Sequence, residues 1–240
     1  MKHFKYFLLL IFTGVFFVNC SSPKDVFTYD YDFFGVVFNK NFKLFTYEEP
    51  FGAFLSAGEM KLPNGYKDVF GSWNRSIGVI TNNKINFFQY EYGDGTWTLL
   101  PDLEMTLPKG NKGAFYFYGG FYGIGVIIND KVEFYSYGDN WQPVPGTDLA
   151  LPSGYKDVFY YWGNNIVGVI VGNKVLFFQF DGDSWAVISD LEMTLPKRTK
   201  GVFCYGRYDS IGVLIGKKVQ FYGYDGASWQ ILPDVAFTIE

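Results

Sequence analysis

The sequence predicts an all-β fold, a five-bladed β-propeller in which each blade is a four-stranded antiparallel sheet. Three observations predict it: an internal repeat of about 44 residues, short β-type runs with no helical segment between them, and aromatic side chains on both faces of those runs. One phenylalanine per unit marks the repeat, at Phe27, Phe70, Phe115, Phe159 and Phe203. The units fill the chain after its first 19 residues, so the predicted blades cover approximately residues 20–63, 64–108, 109–152, 153–196 and 197–240.

Each unit repeats the same order of features, which defines four strands named A to D. A Gly-Val pair follows the phenylalanine, and then come an Asn/Gly/Lys turn, an aromatic run, a second turn and a Leu-Pro pair or its equivalent. Asp-Gly pairs between C and D, such as Asp181-Gly182, are typical of hairpin turns. Phe177-Phe178 in one strand C point to opposite faces, so both faces need a neighbouring blade as cover. A solenoid is the alternative, but it needs capped ends, and neither terminal unit resembles a cap.

The first residues have the layout of a secretory signal. Lys2 and Lys5 precede an apolar run, 6–18, that is too short to span a bilayer comfortably. Cys20 follows at once, which resembles the cleavage box of bacterial lipoproteins, although Asn19 replaces the small residue preferred there. The resemblance implies a signal peptide at 1–19, a lipidated Cys20, and a place in the cell envelope at the outer membrane or cell surface. An ordinary cleaved signal or an uncleaved anchor is the alternative.

Composition excludes several classes of site. The only histidine is His3, and the only cysteines are Cys20 and Cys204, so the mature chain has no zinc site, Ser-His-Asp triad or Cys-His dyad. We expect no metal and no cofactor, and we expect Cys204 to be a buried free thiol. Removal of the signal deletes Lys2 and Lys5 but no acid, which changes the formal net charge from -4 to -6 and disfavours nucleic acid as a partner.

One stretch resembles a known propeller repeat. Residues 151–159, followed by Gly172-Asn173-Lys174 and the aromatic run 177–181, are similar to the hemopexin-type repeat. The resemblance implies that strand A is innermost and that the protein binds a ligand without catalysis. The chain departs from that family in having five units instead of four, in lacking the cysteines for the closing disulfide, and in having Lys where the family has Asp near the start of the inner strand. Haem and metal binding are therefore not carried over.

Antiparallel topology sorts the charges between the two ends of the disk. The basal face is the end that carries the B–C turns and the D–A links, and the apical face is the end that carries the A–B and C–D loops. The basal face receives Lys24, Lys40, Lys67, Lys84, Lys109, Lys112, Lys131, Lys156, Lys174, Lys197, Arg198, Lys200, Lys217 and Lys218. Its expected acids are Asp25, Asp68, Asp130 and Asp157. Because Cys20 lies close to Lys24, we expect the basal face to dock on a membrane.

One basal lysine per blade stands at the entrance of the inner strand. These lysines are Lys24, Lys67, Lys112, Lys156 and Lys200, and they predict a ring at the channel mouth that attracts an anion. The alternative is that lysine simply suits exposed turns.

The apical face carries the segments that differ most between units. Aromatic residues beside Asn, Asp and Arg predict a surface for a glycan or protein ligand, since rings stack on apolar faces and polar groups bind hydroxyls or amides. The predicted ligand-binding residues are Trp73, Arg75, Tyr118, Tyr122, Trp162, Asn165, Tyr205, Arg207 and Asp209. Loop variation without function is the alternative. The recurring Trp97, Trp141, Trp185 and Trp229 are predicted to pack blades together.

The sequence favours a lipid-anchored, non-catalytic binding or scaffold protein. Two alternatives stay open: a glycoside hydrolase that uses paired carboxylates, for example among Asp30, Asp32 and Asp209, and a structural subunit of an envelope complex. The chain has three arginines, and Arg198 belongs to the basal face, which disfavours an arginine triad of the sialidase type.

Overall fold

The computed structural model describes residues 23–30, 33–48, 53–72, 75–91, 93–118, 122–161, 165–206 and 210–239. They form five antiparallel sheets, one per predicted blade. Blade 1 contains β1 (Asp25–Asp30), β2 (Phe33–Phe38), β3 (Asn41–Glu48) and β4 (Ala53–Lys61). Blade 2 contains β5 (Tyr66–Ser72), β6 (Ser76–Thr81), β7 (Lys84–Glu91) and β8 (Thr96–Thr106). The five-bladed, all-β prediction is confirmed.

The other three blades follow the same plan. Blade 3 contains β9 (Asn111–Tyr118), β10 (Tyr122–Ile128), β11 (Lys131–Tyr137), β12 (Trp141–Pro143) and β13 (Leu149–Ala150). Blade 4 contains β14 (Tyr155–Tyr161), β15 (Ile166–Val171), β16 (Lys174–Phe180), β17 (Trp185–Val187) and β18 (Met193–Thr194). Blade 5 contains β19 (Thr199–Tyr205), β20 (Ser210–Ile215), β21 (Lys218–Tyr224) and β22 (Trp229–Thr238). In blades 3 and 4 strand D is interrupted, so two short strands pair with strand C.

The Gly-Val pair of each unit has a steric cause. In blade 2 the ring of Phe70 lies across Gly78 of the next strand, and a Cβ at Gly78 would come within 2.3 Å of the ring. The other blades repeat this contact at Gly35, Gly125, Gly168 and Gly212. Only glycine therefore leaves room for the phenylalanine that marks each repeat.

The Leu-Pro pair holds the basal face together. In blade 2 the N–H of Leu107 donates to the carbonyl of Asn83 in the B–C turn, at 2.7 Å, and Leu151 and Leu195 make the same bond to Asp130 and Asn173. Each D–A link is thus tied to the B–C turn of its own blade. The two kinds of connection share one end of the disk, as the topology predicts.

The ring of blades is closed. The inner strand β1 contacts β5 on one side and β19 on the other, and β9 and β14 complete the circle. Each end strand stays within its own blade, because β1 pairs with β2 and β22 pairs with β21. Five apolar clusters fill the interfaces between adjacent blades. Within the described ranges, no helix has the length and apolar character needed to cross a bilayer.

Candidate functional site

A cavity of about 380 Å³ lies on the axis of the disk, between the five inner strands. Its middle is apolar, because the walls include the five repeat phenylalanines, Phe27, Phe70, Phe115, Phe159 and Phe203. A volume of this size is typical of sites that bind small molecules. The cavity is therefore the main candidate site, and its basal and apical ends have different chemistry.

Three carboxyl groups line the basal end of the cavity. Asp25, Asp68 and Asp157 occupy equivalent positions in β1, β5 and β14. One carboxylate oxygen of each accepts the N–H of the following valine at 2.8 Å, which fixes the side chain. The other two blades have Gly113 and Gly201 at this position, and a Cβ there would lie 3.3 Å from Asp68 Oδ2 and Asp25 Oδ1, respectively. The two glycines therefore leave space for the carboxyls.

A β-bulge gives this end of the inner strands its local conformation. In β5, Tyr66 pairs with Thr81 and Asp68 pairs with Ile80, so Lys67 is an extra residue. The same one-residue bulge falls on Lys112, Lys156 and Lys200 in the next three blades. The lysine belongs to the bulge, and the residue after it lies at the cavity.

The predicted lysine ring does not line the cavity. The ammonium groups of Lys67, Lys112 and Lys156 donate to B–C turn carbonyls of Asn82, Asn129 and Gly172 at 2.6 to 2.8 Å. Lys24 and Lys200 are exposed on the basal face. The lining at this end is acidic, so the idea of an anion ring receives no support from these positions.

The three carboxyl groups hold protons more strongly than ordinary aspartates. Burial, strengthened by the charges of Asp25 and Asp157, raises the pKa of Asp68 to about 8. Burial and the charge of Asp25 raise the pKa of Asp157 to about 7, and burial raises the pKa of Asp25 to about 6. Asp157 borders the cavity and is exposed to solvent, which weakens the effect of burial on its pKa.

The apical end of the cavity carries hydroxyl groups. Ser72 is buried, with 4% of its surface exposed, and among the described residues its Oγ has no hydrogen-bond partner. The Tyr29 hydroxyl donates to the Arg75 carbonyl, and the Tyr160 hydroxyl donates to the Tyr118 carbonyl, so both bonds join neighbouring blades. Ser72 thus borders the cavity, and its buried hydroxyl has no hydrogen-bond partner in the described ranges.

The structure describes only some of the predicted apical ligand residues. Trp73, Trp162, Arg207 and Asp209 lie outside the described residues, as does the side chain of Tyr122. They stay predictions.

The structure describes the other four predicted ligand residues, which occupy two turns, one exposed position and one buried position. Arg75 and Asn165 occupy turns with φ of 58° and 61°, and the Asn165 side chain donates to the Phe180 carbonyl at 3.3 Å. Tyr118 is 45% exposed and borders the cavity. Tyr205 is a correction to the predicted surface: it is fully buried, because the closing ring packs it between blades 1 and 5.

The basal face carries less excess positive charge than its turns and links suggest. Glu104 in β8, Asp148 just before β13 and Glu192 just before β18 lie at this end, where they pair with Lys84, Lys131 and Lys174 at 2.6 to 2.9 Å. The expected set of basal acids was therefore incomplete, because these acids are in or next to the last strand of the blade and not in the B–C turns or the starts of the inner strands. Lys24, Lys40, Lys109, Lys197, Lys200 and Lys218 are exposed on the same face.

Sequence reasoning missed the acidic end of the cavity, although a signal for it exists. The pair Lys-Asp recurs at Lys24-Asp25, Lys67-Asp68 and Lys156-Asp157, and Lys-Gly replaces it in the other two units. The position after this lysine is thus either Asp or Gly in all five units, which indicates that it is constrained in the fold. No group of three or more His, Cys, Asp or Glu side chains in the described ranges is arranged to hold a metal ion.

No protein-family model matches the chain, and no curated protein is similar to it in sequence. Among solved structures, the Kluyveromyces lactis Hsv2 with loop 6CD replaced by a Gly-Ser linker is similar with a TM-score of 0.50 at 11% identity, covering 92% of this chain and 100% of that chain. The hemopexin-fold protein CP4 from cow pea has a TM-score of 0.47 at 12% identity, covering 73% and 94% of the two chains. The WD40 domain of SCAP from fission yeast has a TM-score of 0.47 at 10% identity, covering 92% and 56%. At these identities the likeness concerns the fold alone.

Proposed function

We propose that the chain is a membrane-anchored, non-catalytic binding or scaffold protein of the cell envelope. Lipidated Cys20 holds it, the basal face lies toward the membrane, and the apical face receives a glycan or protein ligand. The observation that carries this proposal is the start of β1 at the basal face, where the N–H of Lys24 donates to the carbonyl of Val37 at 2.8 Å, beside the first B–C turn. The chain therefore enters the fold from the face that carries the exposed lysines.

The short tether supports a close approach to the membrane. Four residue steps separate Cys20 from Lys24, which span at most about 14 Å when extended. Exposed lysines near an anionic surface contribute roughly 1 kcal/mol each, and a single acyl chain alone gives only marginal binding. A lipid on Cys20 and a basic face together provide the two membrane-binding signals that stable anchoring requires.

A groove in the basal face offers a place for lipid headgroups. It lies between blades 1 and 2, has a volume of about 1200 Å³, and includes Lys24, Lys40 and Lys67 in its lining. Asp25 and Asp68 border the same groove. The lysines are the groups that attract an anionic headgroup, whereas the two carboxyls also line the basal end of the axial cavity.

The first experiment tests the anchor. Cells that express the full chain are fed an alkyne-labelled fatty acid, and the purified protein is examined for the label. We expect wild type to carry the label and to sediment with membranes, and Cys20→Ser to lose both properties. An unlabelled wild type, or a Cys20→Ser variant that keeps the label, contradicts the anchor.

The second experiment tests the basal face. The full chain with Cys20→Ser is mixed with vesicles of phosphatidylglycerol and phosphatidylethanolamine. Changing Lys109 and Lys197 together to Gln should weaken binding at least threefold, because both lysines are exposed on the basal face. Asn140→Asp together with Ala227→Glu, at exposed positions of two C–D loops on the apical face, lowers the net charge by the same amount and is the matched control. Equal losses in the two variants contradict a specific docking face.

The third experiment tests the apical face and separates the alternatives. A glycan array and a hydrolysis assay are run on the same full chain with Cys20→Ser and on its Tyr118→Ala derivative. Binding without turnover that Tyr118→Ala weakens supports the proposal, whereas turnover supports the glycoside hydrolase. No binding and no turnover supports a structural subunit of an envelope complex. Of the candidate carboxylates, Asp32 and Asp209 lie outside the described residues, so no observation favours the hydrolase.

A further inference from the structure

We propose that the axial cavity binds a small organic cation, an ammonium group attached to an apolar body. The ammonium lies among Asp25, Asp68 and Asp157 at the basal end, and the body lies between the phenylalanines. This inference does not depend on the anchor, the basal face or the apical loops.

The acidic end has the capacity to bind a cation. Each of the three carboxyls uses one oxygen for a backbone N–H and keeps further acceptor sites. In the part of the chain that the structure describes, no lysine or arginine forms an ion pair with them. Three carboxyls at one end of the cavity without a cationic partner repel one another when ionised, and an ammonium group among them reduces that repulsion.

The walls select an organic cation over a hydrated metal ion. Five phenylalanines border the middle of the cavity, so a ligand that fills it must bury apolar surface.

Ser72 is an independent observation that points to a ligand at the opposite end. The residue borders the cavity, and its buried Oγ has no partner among the described residues, which is a costly state for a hydroxyl group. Ser72 is four residues after Asp68 in β5, about 13 Å along an extended strand. A ligand with an ammonium at one end and a hydroxyl at the other matches both ends of the cavity.

Binding of the cation is coupled to protons. Near neutral pH the three carboxyls are only partly ionised, and an ammonium favours their ionised form, so the ligand releases protons and binds more tightly as pH rises from 5.5 to 8. Other charged and titratable groups border these carboxyls at the basal mouth. They are Lys24, Lys40, Tyr66 and Lys67 beside Asp25 and Asp68, and Lys112, Tyr155 and Lys156 beside Asp68 and Asp157. Burial raises the pKa of Tyr66, and the raised pKa values of the three carboxyls lie within this pH range, so we assign the pH dependence to the carboxyls.

The test uses calorimetric titration of the full chain with Cys20→Ser. The probe is tyramine, which carries an ammonium, a ring and a hydroxyl, and the comparison compounds are its uncharged alcohol analogue tyrosol and phenethylamine, which lacks the hydroxyl. We expect tyramine to bind at least tenfold more tightly than tyrosol, and more tightly at pH 8 than at pH 5.5. Asp68→Asn should weaken tyramine at least tenfold, while Asp183→Asn, an exposed acid of a C–D loop, should leave it unchanged.

Ser72→Ala provides a second measurement. It should remove the preference for tyramine over phenethylamine while both amines still bind. Circular dichroism of each variant establishes that it is folded. Equal binding of tyramine and tyrosol, no binding of tyramine to the folded chain, or displacement of bound tyramine by calcium chloride at equal concentration overturns the proposal.

Discussion

The interfaces between blades 2, 3, 4 and 5 differ from the two interfaces that blade 1 makes. In the first three, a strand D tryptophan stacks on a phenylalanine of the preceding blade, as Trp185 does on Phe134 with centroids 5.3 Å apart. The same indole donates its Nε1–H to a carbonyl of that preceding blade, from Trp185 to Thr147 at 2.7 Å. Trp141 and Trp229 repeat both contacts. The predicted packing role of these three residues is confirmed.

Around blade 1 the same position loses the hydrogen bond and keeps the ring contact. Trp97 packs edge-on against Phe42 at 5.1 Å, but its Nε1 is buried with no partner among the described residues. At the closing interface Phe54 replaces the tryptophan and stacks on Phe221 at 5.3 Å. Ring contacts, and not indole hydrogen bonds, therefore close the circle.

The difference shows which interaction the ring requires. A hydrogen bond adds roughly 1 kcal/mol net, whereas a buried aromatic side chain adds several. Phe34, which is fully buried, contacts both Phe203 at 5.1 Å and Phe221 at 6.0 Å across the closing interface. Closure thus concentrates its stability in a few rings.

The largest expected effect comes from breaking the closing interface. Phe34→Ala should lower the free energy of unfolding by about 3–5 kcal/mol, because it removes a fully buried ring from a packed cluster. Urea denaturation measures the loss. Hydrogen exchange should show that β1 and β19 lose protection more than β9 and β14. Equal loss of protection in the two pairs contradicts a cluster that acts at closure.

The next effect compares carboxyls at two kinds of interface. Asp68 lies against Gly113 at a regular interface, and Asp25 lies against Gly201 at the closing one. The pKa values of Asp25 and Asp68 are higher in the folded protein than in the unfolded chain. The stability that this difference contributes is present at low pH and is lost as the pH rises through the folded-state pKa. Wild type should therefore be less stable at pH 8 than at pH 5. Asp68→Asn should recover on the order of 2 kcal/mol at pH 8.

Asp25→Asn is the comparison for this measurement, and it should recover less, since its pKa is raised only to about 6. The groups that face both carboxyls at the basal mouth include Tyr66 and Lys67, and burial together with the charge of Asp25 raises the pKa of Tyr66, so this phenol stays neutral between pH 5 and pH 8. Denaturation across this pH range checks the order. A wild-type protein whose stability does not fall with pH contradicts the raised pKa values.

The smallest effect isolates the indole hydrogen bond. Trp185→Phe and Trp97→Phe remove similar apolar area, but only the first leaves a carbonyl without its donor. Trp185→Phe should therefore cost about 1 kcal/mol more than Trp97→Phe in thermal or urea unfolding. Equal costs in the two variants contradict a stabilising role for the bond.

The sequence predicts the features that recur in every blade for a local reason. Phe70 and Gly78 recur because one ring needs a glycine beneath it, and Leu107 recurs because its N–H ties a link to a turn. Such local causes leave a periodic trace, so the blade count and the two faces were predictable.

The rest depends on register and closure, which the sequence encodes only indirectly. Asp68 lines the cavity next to a one-residue bulge at Lys67, and Glu104 meets Lys84 only after a shift in the pairing of β7 with β8. Tyr205 is the last residue of the inner strand β19, where the sequence predicts an exposed apical residue. Phe34 and Phe54 of the first blade cover it when the ring of blades closes.

The intact sheets at the closing interface have a consequence for rearrangement of the chain. Because no blade borrows a strand from the other end, a circular permutant that joins β22 to β1 by a short linker and opens at the exposed Gly154 keeps every strand with its own partners. Whole units can likewise be duplicated or removed without unpairing a sheet.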